Sequence, residues 1–531
     1  MRLLSVSEMI AREKAANAGG YSYMQMMAAA GKAIAEVVMQ FCEGRTEQTA
    51  LGLVGVGNNG GDTLIALTVM QQAGWDTKAI LLKTWDKDEP LLQQFTGSGG
   101  EILNADALMR LKDVPGVVLD GLFGTGFRLP LPDKAAELLS EARQALSDFL
   151  WVAVDCPSGM DCGSGEVSSG TIKADLTICL EAVKAGIMTY SAFPFIGELK
   201  TADLGISQYL GHSDDQDDIV IDASFVRKIL PIRDDFSHKG SHGTLMVIGG
   251  CTNYPGAPVL AGEGAYAVGT GLVKVGIPSS VFHHAASTSL ELTWVVLEDG
   301  GGVISELAVE TALPFVQSAQ CLVLGPGIGR EDTTRKFIQE LIISKEPGGR
   351  VRGGFPGMSE GIQKMKAPIA LPPMVIDADA LTLLSTIAGW AEKIPSGSIL
   401  TPHPGEMARL TGLSIDEVQR ERAGVARKFA ALWQQVVVLK GALTVIAAPN
   451  GRTATIPAAA SSLAKAGTGD VLAGMIGGLA AQGLDAWQAA IAGAWLHARA
   501  GIEAVELVGC SESVLASDVI SAIPLVYHSL K

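Results

Sequence analysis

The sequence predicts an α/β protein made of two three-layer α/β/α units, each built on a parallel sheet. Three observations carry that expectation. Short apolar runs alternate with helical stretches along most of the chain, the pattern of parallel strands covered on both faces. Many of those runs end in polar, glycine-rich turns, the edge at which open parallel sheets bind ligands. A hydrophobic content of 48%, with 63 glycines in 531 residues, fits compact, loop-rich structure rather than disorder.

Helical patterns run from Glu8 to Ala18 and from Met24 to Gln40. The Met24, Met26, Met27 cluster reads as packing or a subunit contact, and a homo-oligomer is expected. Strands follow at Leu51–Val56, Lys78–Leu82, Val117–Leu119, Leu150–Val154 and Leu176–Leu180, with helices from Asp62 to Ala73 and Lys134 to Ser147. An acidic run at 211–218 without apolar periodicity reads as a solvated linker, dividing the chain into domains at 1–215 and 220–531. Beyond it, strands are expected at Thr244–Ile248, Leu272–Gly276, Thr293–Leu297, Cys321–Leu324, Met374–Ile376, Ser398–Leu400 and Val436–Leu439. A hairpin, Thr444–Ala448 with Thr453–Ile456, turns on Asn450-Gly451. Helices are expected over Ala257–Val268, Gly469–Ala481 and, capped by Asp485, on to Val505. The 347–373 segment, rich in Gly, Pro and Lys, reads as a long surface loop.

The net charge of −16 argues against a general nucleic-acid or anionic-membrane surface while leaving room for a nucleotide held by local donors. Seven scattered cysteines without Cys-x-x-Cys read as free thiols of a reducing compartment. The first residues meet charge too early for a signal segment, and no apolar span reaches about 18 residues, so a soluble cytoplasmic protein is expected.

Motifs sharpen this outline. Ala464-Lys465-Ala466-Gly467-Thr468-Gly469-Asp470 opens an apolar helix. Its glycines allow close backbone approach to an anion, the helix start offers free N–H groups, and Asp470 adds a potential base. Phosphoryl transfer to a hydroxyl needs that combination. In the first half, Gly55 to Asp62 satisfies Gly-x-Gly-x-x-Gly after a strand, a possible dinucleotide turn, but lacks the Lys-Ser/Thr of a P-loop. Asp120–Phe127 and Asp155–Gly159 also follow strands. If the three turns converge, Asn59, Asp120 and Ser158 offer hard oxygen ligands for an alkali or alkaline-earth ion; the same residue types also serve as plain caps.

The motifs Asn58-Asn59-Gly60-Gly61-Asp62, Asp120 to Gly126 and Asp155-Cys156-Pro157-Ser158-Gly159 resemble the YjeF N-terminal type of NAD(P)HX epimerase domain, a Rossmann-like fold. The resemblance implies that residues 58–62 and Gly124, Thr125, Gly126, Phe127, Arg128, Leu129 and Pro130 hold the damaged nucleotide. It also implies that Asn59, Asp120 and Ser158 bind K+, and that Asp155 contacts substrate with Lys184 nearby as partner or phosphate anchor. The family usually has Gly at the position of Thr63, and Ile or Val at that of Cys156.

The second half carries His238–Gly243 before a strand and Gly325-Pro326-Gly327-Ile328-Gly329 opening a helix. Asp377–Leu381, Thr401–Glu406 and Lys440–Thr444 each follow a strand. With the Gly467–Asp470 segment, this order resembles the ribokinase-like, ADP-dependent NAD(P)HX dehydratase, and the pairing resembles the bifunctional repair family. The resemblance implies nucleotide binding by Lys440, Gly441, Ala442, Leu443, Thr444, Gly467, Thr468 and Gly469. It implies substrate contacts from Ala257, Gly327, His403 and Asp470, and Glu406 holding Mg2+ through water. The reaction expected is R/S epimerisation of NADHX and NADPHX, then ADP-consuming dehydration of the S form, with Asp470, Asp155 and Lys184 catalytic. Two other readings stay open at this point: a ribokinase-like kinase of a vitamin hydroxyl, and a nucleotide-sensing binding protein without turnover.

Overall fold

The computed structural model describes residues 1–44, 48–86, 88–111, 116–210, 218–343 and 371–531. The acidic run, over 211–217, and the expected surface loop, over all but its last three residues, lie outside the described residues. The chain divides into two compact units, Met1–Val220 and Ile221–Lys531.

The first unit holds a seven-stranded, all-parallel sheet. From edge to edge its order is Glu101–Leu103, Asp76–Leu81, Thr49–Val54, Gly116–Gly121, Leu150–Val154, Leu176–Leu180 and Glu198–Ala202. Successive side chains go to opposite faces: Ala50 and Val54 join a core with helices Tyr23–Phe41 and Asn58–Gln72, while Leu51 and Leu53 join another with helix Asp133–Ala145. That division makes the three layers. Val54 pairs with both Leu81 and Gly121, so the central strands end level and their turns emerge along one edge. Arg2–Leu4 separately pairs with Val183–Lys184 and Asp218–Val220, strands too short to show any alternation in the sequence.

In the second unit the parallel order is Thr293–Leu297, Leu272–Pro278, Thr244–Ile248, Cys321–Leu324, Met374–Ile376, Ile399–Leu400 and Val436–Leu439. The expected hairpin, Val445–Ala447 with Thr453–Thr455, continues it antiparallel. Large side chains, among them Phe337, Trp390 and Trp433, fill one face. The other face uses small residues so that helices come close. A Cβ on Gly474 of helix Thr468–Ala481 would lie 1.8 Å from the Ala261 carbonyl oxygen of helix Ala257–Ala267. One on Gly493 of helix Ala486–Val508 would meet Ile476 at 2.6 Å.

Two boundaries depart from expectation. The helix placed at Asp62 begins at Asn58, with Gly57 as its cap, so Asn58 to Gly61 form its first turn. Gly325–Gly329 does not open a helix: all three glycines have positive φ (125°, 60° and 87°), and the helix starts at Asp332. Three positive-φ glycines within five residues interrupt the run of right-handed dihedrals that an α-helix needs. Six of the seven cysteines are buried, Cys510 is exposed, and none is paired among the described residues. No helix among them is long and apolar enough to cross a membrane.

Candidate functional site

In the first unit the three glycine-rich turns do converge. Gly55 and Gly60 are required by close backbone approach: a Cβ on Gly55 would sit 2.0 Å from the Leu122 carbonyl oxygen, and one on Gly60 2.0 Å from that of Gly55. The Asn59 amide, buried in the first helical turn, donates to the carbonyls of Phe123 (2.9 Å) and Val154 (3.0 Å), tying the first turn to the other two. Ser158 Oγ donates to Asp120 Oδ1 at 2.6 Å and accepts from the Phe123 amide at 3.1 Å, while the Ser158 amide reaches Asp120 Oδ2 at 2.9 Å. Asp120 is fully buried, and its partners among the described residues are neutral; burial pushes its carboxyl pKa up. A buried carboxylate held only by neutral donors suits a cation beside it. Thr63 fills the space over Gly121 and donates to the Asn59 carbonyl at 2.8 Å, leaving the Asn59 side chain undisturbed.

Asp155 sits at φ +68°, a strained conformation for a residue with a side chain. Its Oδ1 accepts from the Lys184 ammonium and the Leu180 amide, and its Oδ2 from the Thr125 amide at 3.2 Å. A Cβ on Gly124 would fall 3.2 Å from both Asp155 Oδ2 and Asn59 Oδ1, so that glycine keeps the gap between them open. Lys184 is buried and also donates to the Leu180 carbonyl at 2.9 Å. Burial alone would lower its pKa, yet the Asp155 carboxylate outweighs that and holds it above the usual range. Asp62 is buried as well; burial, then the charges of Asp155 and Glu13, push its carboxyl far up. Glu13, on helix Val6–Ala18, is likewise raised by burial and faces the fields of Lys184 and Asp155. Sequence reasoning missed it, since a glutamate on a mixed helical face carries no distinguishing signal. Gly124 and Thr125 thus flank Asp155, whereas Arg128 is mostly exposed and pairs with Asp161 at 3.6 Å; Gly126 and Pro130 are exposed, Leu129 half-buried, and Phe127 packs against Phe123.

The second unit gathers its own charges. Lys440, at the end of strand Val436–Leu439, places Nζ 2.6 Å from Asp377 Oδ1 and 3.9 Å from Glu406 Oε2; a Cβ on Gly469 would be 3.7 Å from it. Arg422 Nη2 donates to the carbonyls of Leu439 (2.9 Å) and Lys440 (3.2 Å), steadying that strand end. Beyond it Gly441 and Ala442 are exposed, Leu443 takes φ +52°, and Thr444 Oγ1 donates back to the Gly441 carbonyl at 2.8 Å. Asp470, in the first turn of helix Thr468–Ala481, has its pKa pushed up to about 7 by burial and by the charge of Asp377, with Lys440 opposing. Glu406 also reaches about 7: burial raises it, Lys440 opposes, and Asp377 raises it further. Three carboxylates around one lysine leave excess negative charge, a setting that fits a divalent cation. Ala378, after Asp377, adopts φ +52°. Asp377 belongs to a motif noted in the sequence but given no role there.

His403 has a double duty that sequence could not resolve. It caps helix Pro404–Thr411, Nδ1 accepting from the amides of Gly405 (3.0 Å) and Glu406 (3.3 Å), while Nε2 lies 3.4 Å from Glu406 Oε1. Its pKa is lowered by burial and then by Lys440, which favours the neutral ring. Gly327 and Ala257 are brought together: a Cβ on Gly327 would meet that of Ala257 at 2.9 Å. Gly467 takes φ +92°, and Thr468 Oγ1 donates to the carbonyls of Leu463 (2.8 Å) and Lys465 (2.9 Å), shaping the expected anion cradle. The His238–Gly243 segment forms a short turn in which His242 Nε2 meets Ser237 Oγ at 2.7 Å.

Both halves match known families. The family model for NAD(P)H-hydrate dehydratase matches residues 245–352 and 356–525, and that for the YjeF-related protein N-terminus matches residues 24–186. The chain is 32% identical over 527 residues to the bifunctional NAD(P)H-hydrate repair enzyme of Moorella thermoacetica, covering 95% of this chain and 92% of that protein. It is 30% identical over 524 residues to the enzyme of the same name from Escherichia coli, covering 97% and 92%. A third such relative, from Coxiella burnetii, is 30% identical over 515 residues and covered to 95% on both sides.

Proposed function

The chain belongs to the bifunctional NAD(P)H-hydrate repair enzymes, and from that premise we propose that it restores hydrated NADH and NADPH in two steps. The first unit interconverts the R and S hydrates. The second dehydrates the S form at the expense of ADP, yielding AMP, phosphate and the intact dihydronicotinamide.

One observation carries the second step: Asp470, with its pKa pushed up to about 7, stands in the first turn of a helix whose glycine start lies beside Lys440. A carboxylate of that basicity can take the proton of the substrate hydroxyl. The hydroxyl oxygen then attacks the β-phosphorus of ADP and AMP leaves, while the amides of Gly467 to Gly469 stabilise the transferring phosphoryl. The phosphorylated hydrate expels phosphate, driven by the ring-nitrogen lone pair. Lys440 to Thr444 hold the adenine nucleotide; Ala257, Gly327 and His403 face the substrate. Glu406 would hold Mg2+ through water, and a bound cation there supplies neutralising charge.

In the first unit, Asp155 exchanges the proton of the hydroxyl as the carbon beside the ring nitrogen loses and regains its configuration. The ion pair supports Lys184 as the partner that orients Asp155, since a buried ammonium already engaged by Asp155 and Leu180 is badly placed to anchor a phosphate. Asn59, Asp120 and Ser158 would hold K+, which supplies positive charge next to Asp120. Residues 58–62 and 124–130 enclose the nucleotide.

The test is incubation of the pure protein with hydrated NADH and ADP. Recovery of the dihydronicotinamide absorbance with AMP as the nucleotide product is expected, and an ATP arm reports the alternative donor. No recovery with either nucleotide would end the proposal.

A further inference from the structure

We propose that Arg330 is a substrate-binding residue of the second unit, its guanidinium taking a phosphate group of the hydrated dinucleotide at the rim of the site. The inference rests on the function proposed above and adds a contact that reading does not contain.

Arg330 directly follows the Gly325–Gly329 turn, and that turn is held from several sides. A Cβ on Gly325 would lie 2.0 Å from the Asp377 carbonyl oxygen, and one on Gly249 2.2 Å from that of Pro326. The Pro326 carbonyl also accepts from the Gly250 amide at 2.8 Å. A Cβ on Gly327 would meet the Tyr254 carbonyl oxygen at 2.7 Å, beside Ala257. The turn has little room to move, and Arg330 leaves it from a fixed point.

Its side chain is anchored once more. Nε donates to Asp379 Oδ1 at 2.5 Å. Asp379 stands in the first turn of helix Ala378–Leu384, two residues beyond the Asp377 that holds Lys440. The Arg330 side chain nevertheless stays 59% exposed. Nη1 and Nη2 have no hydrogen-bond partner among the described residues. A guanidinium gripped through Nε keeps the paired N–H groups of its other edge, the fork that binds phosphate oxygens in parallel. An exposed ion pair stabilises a fold little. The contact with Asp379 therefore serves to aim the fork.

Charge points the same way. Asp377, Glu406 and Asp470 crowd this site, and the Lys440 ammonium is already taken by Asp377 with Glu406 close by. A dinucleotide carries a pyrophosphate, and the NADP form a further 2′-phosphate; such a polyanion is repelled unless a cation meets it. Arg330 extends from the turn that carries Gly327, on the substrate side, whereas the adenine nucleotide is assigned to Lys440–Thr444.

Steady-state kinetics of the full chain and its Arg330→Ala and Arg330→Lys variants test this, with ADP and the S hydrates of NADH and NADPH in separate arms. Alanine should raise the KM for hydrate about tenfold, with kcat and the KM for ADP within about threefold of the parent. Lysine, which keeps the charge without the fork, should recover part of the loss. Equal rises for both hydrates assign the pyrophosphate to Arg330; a rise for the NADPH hydrate alone assigns the 2′-phosphate. An alanine variant with both hydrate KM values within about twofold of the parent overturns the inference. So does one in which only the KM for ADP rises or only kcat falls. A parent that dehydrates neither compound removes the proposed function and this inference with it, whereas an active parent with an indifferent alanine variant removes this inference alone.

Discussion

Asp62, Asp155 and Asp470 share one side chain and are set apart by what surrounds them. Asp155 is held by a lysine, Asp62 is pushed toward its neutral form by burial and two neighbouring carboxylates, and Asp470 stands near neutrality. Raising the proton affinity of chosen carboxyls, as burial does for Asp62 and Asp470, is how one protein obtains acids as well as bases. Asp470→Asn should retain ADP binding while dehydration slows roughly 100- to 10,000-fold, checked by calorimetric titration beside turnover; unchanged turnover would remove Asp470 from the chemistry. Since the base must be ionised and its pKa is about 7, kcat should be level above that pH and fall about tenfold per unit below it. His497 gives a stability counterpart. Its folded pKa of about 4 lies below the usual 6.5, so the unfolded chain binds the extra proton as pH falls between the two. Stability of the second unit is therefore lost from pH 6.5 down to about 4, by an amount on the order of 3 kcal/mol, and is fully present above 6.5. Denaturant titrations at pH 7 and 4.5 should show this loss, and His497→Asn should flatten it.

At the scale of elements, strands and long helices were legible because burial imposes a period on the sequence: Leu150–Val154, Thr244–Ile248 and Cys321–Leu324 stand where their apolar runs place them. The start of helix Asn58–Gln72 was not, because asparagine and glycine read as loop until the fold gives the Asn59 amide two carbonyls to meet. The Arg2–Leu4 strand has only three residues and exists through its partners. Close helix packing was visible only as a surplus of glycine. Gly474→Ala should cost the second unit about 1–3 kcal/mol, because its Cβ would meet the Ala261 carbonyl oxygen at 1.8 Å and neither helix backbone can yield cheaply. Chemical denaturation measures the loss; a neutral result would mean the helices part without cost.

For the whole molecule, the site residues divide between two units, each with its own charged cluster, which predicts separable lesions. On a mixture of R and S hydrates with ADP, the parent should consume both, whereas Asp155→Asn should stop, on the timescale of the assay, once the S form is exhausted. Asp470→Asn should interconvert the two without restoring either. Chiral separation of the remaining hydrates distinguishes these outcomes, and an Asp155 variant that consumes both epimers at the parental rate would take Asp155 out of the epimerisation.

The sequence by itself determined the α/β class, the strand ends that carry the polar turns and the chemistry offered there, because apolar period and glycine-rich turns are local properties. Tertiary structure alone decided which of those turns meet, that Lys184 and Lys440 are ion-paired with carboxylates distant in sequence, and that Glu13 lies in the fields of Lys184 and Asp155. The reason is physical: desolvation and charge act through distance in space, and a lone histidine or glutamate on a helix carries no sign of its neighbours until the chain has folded around it.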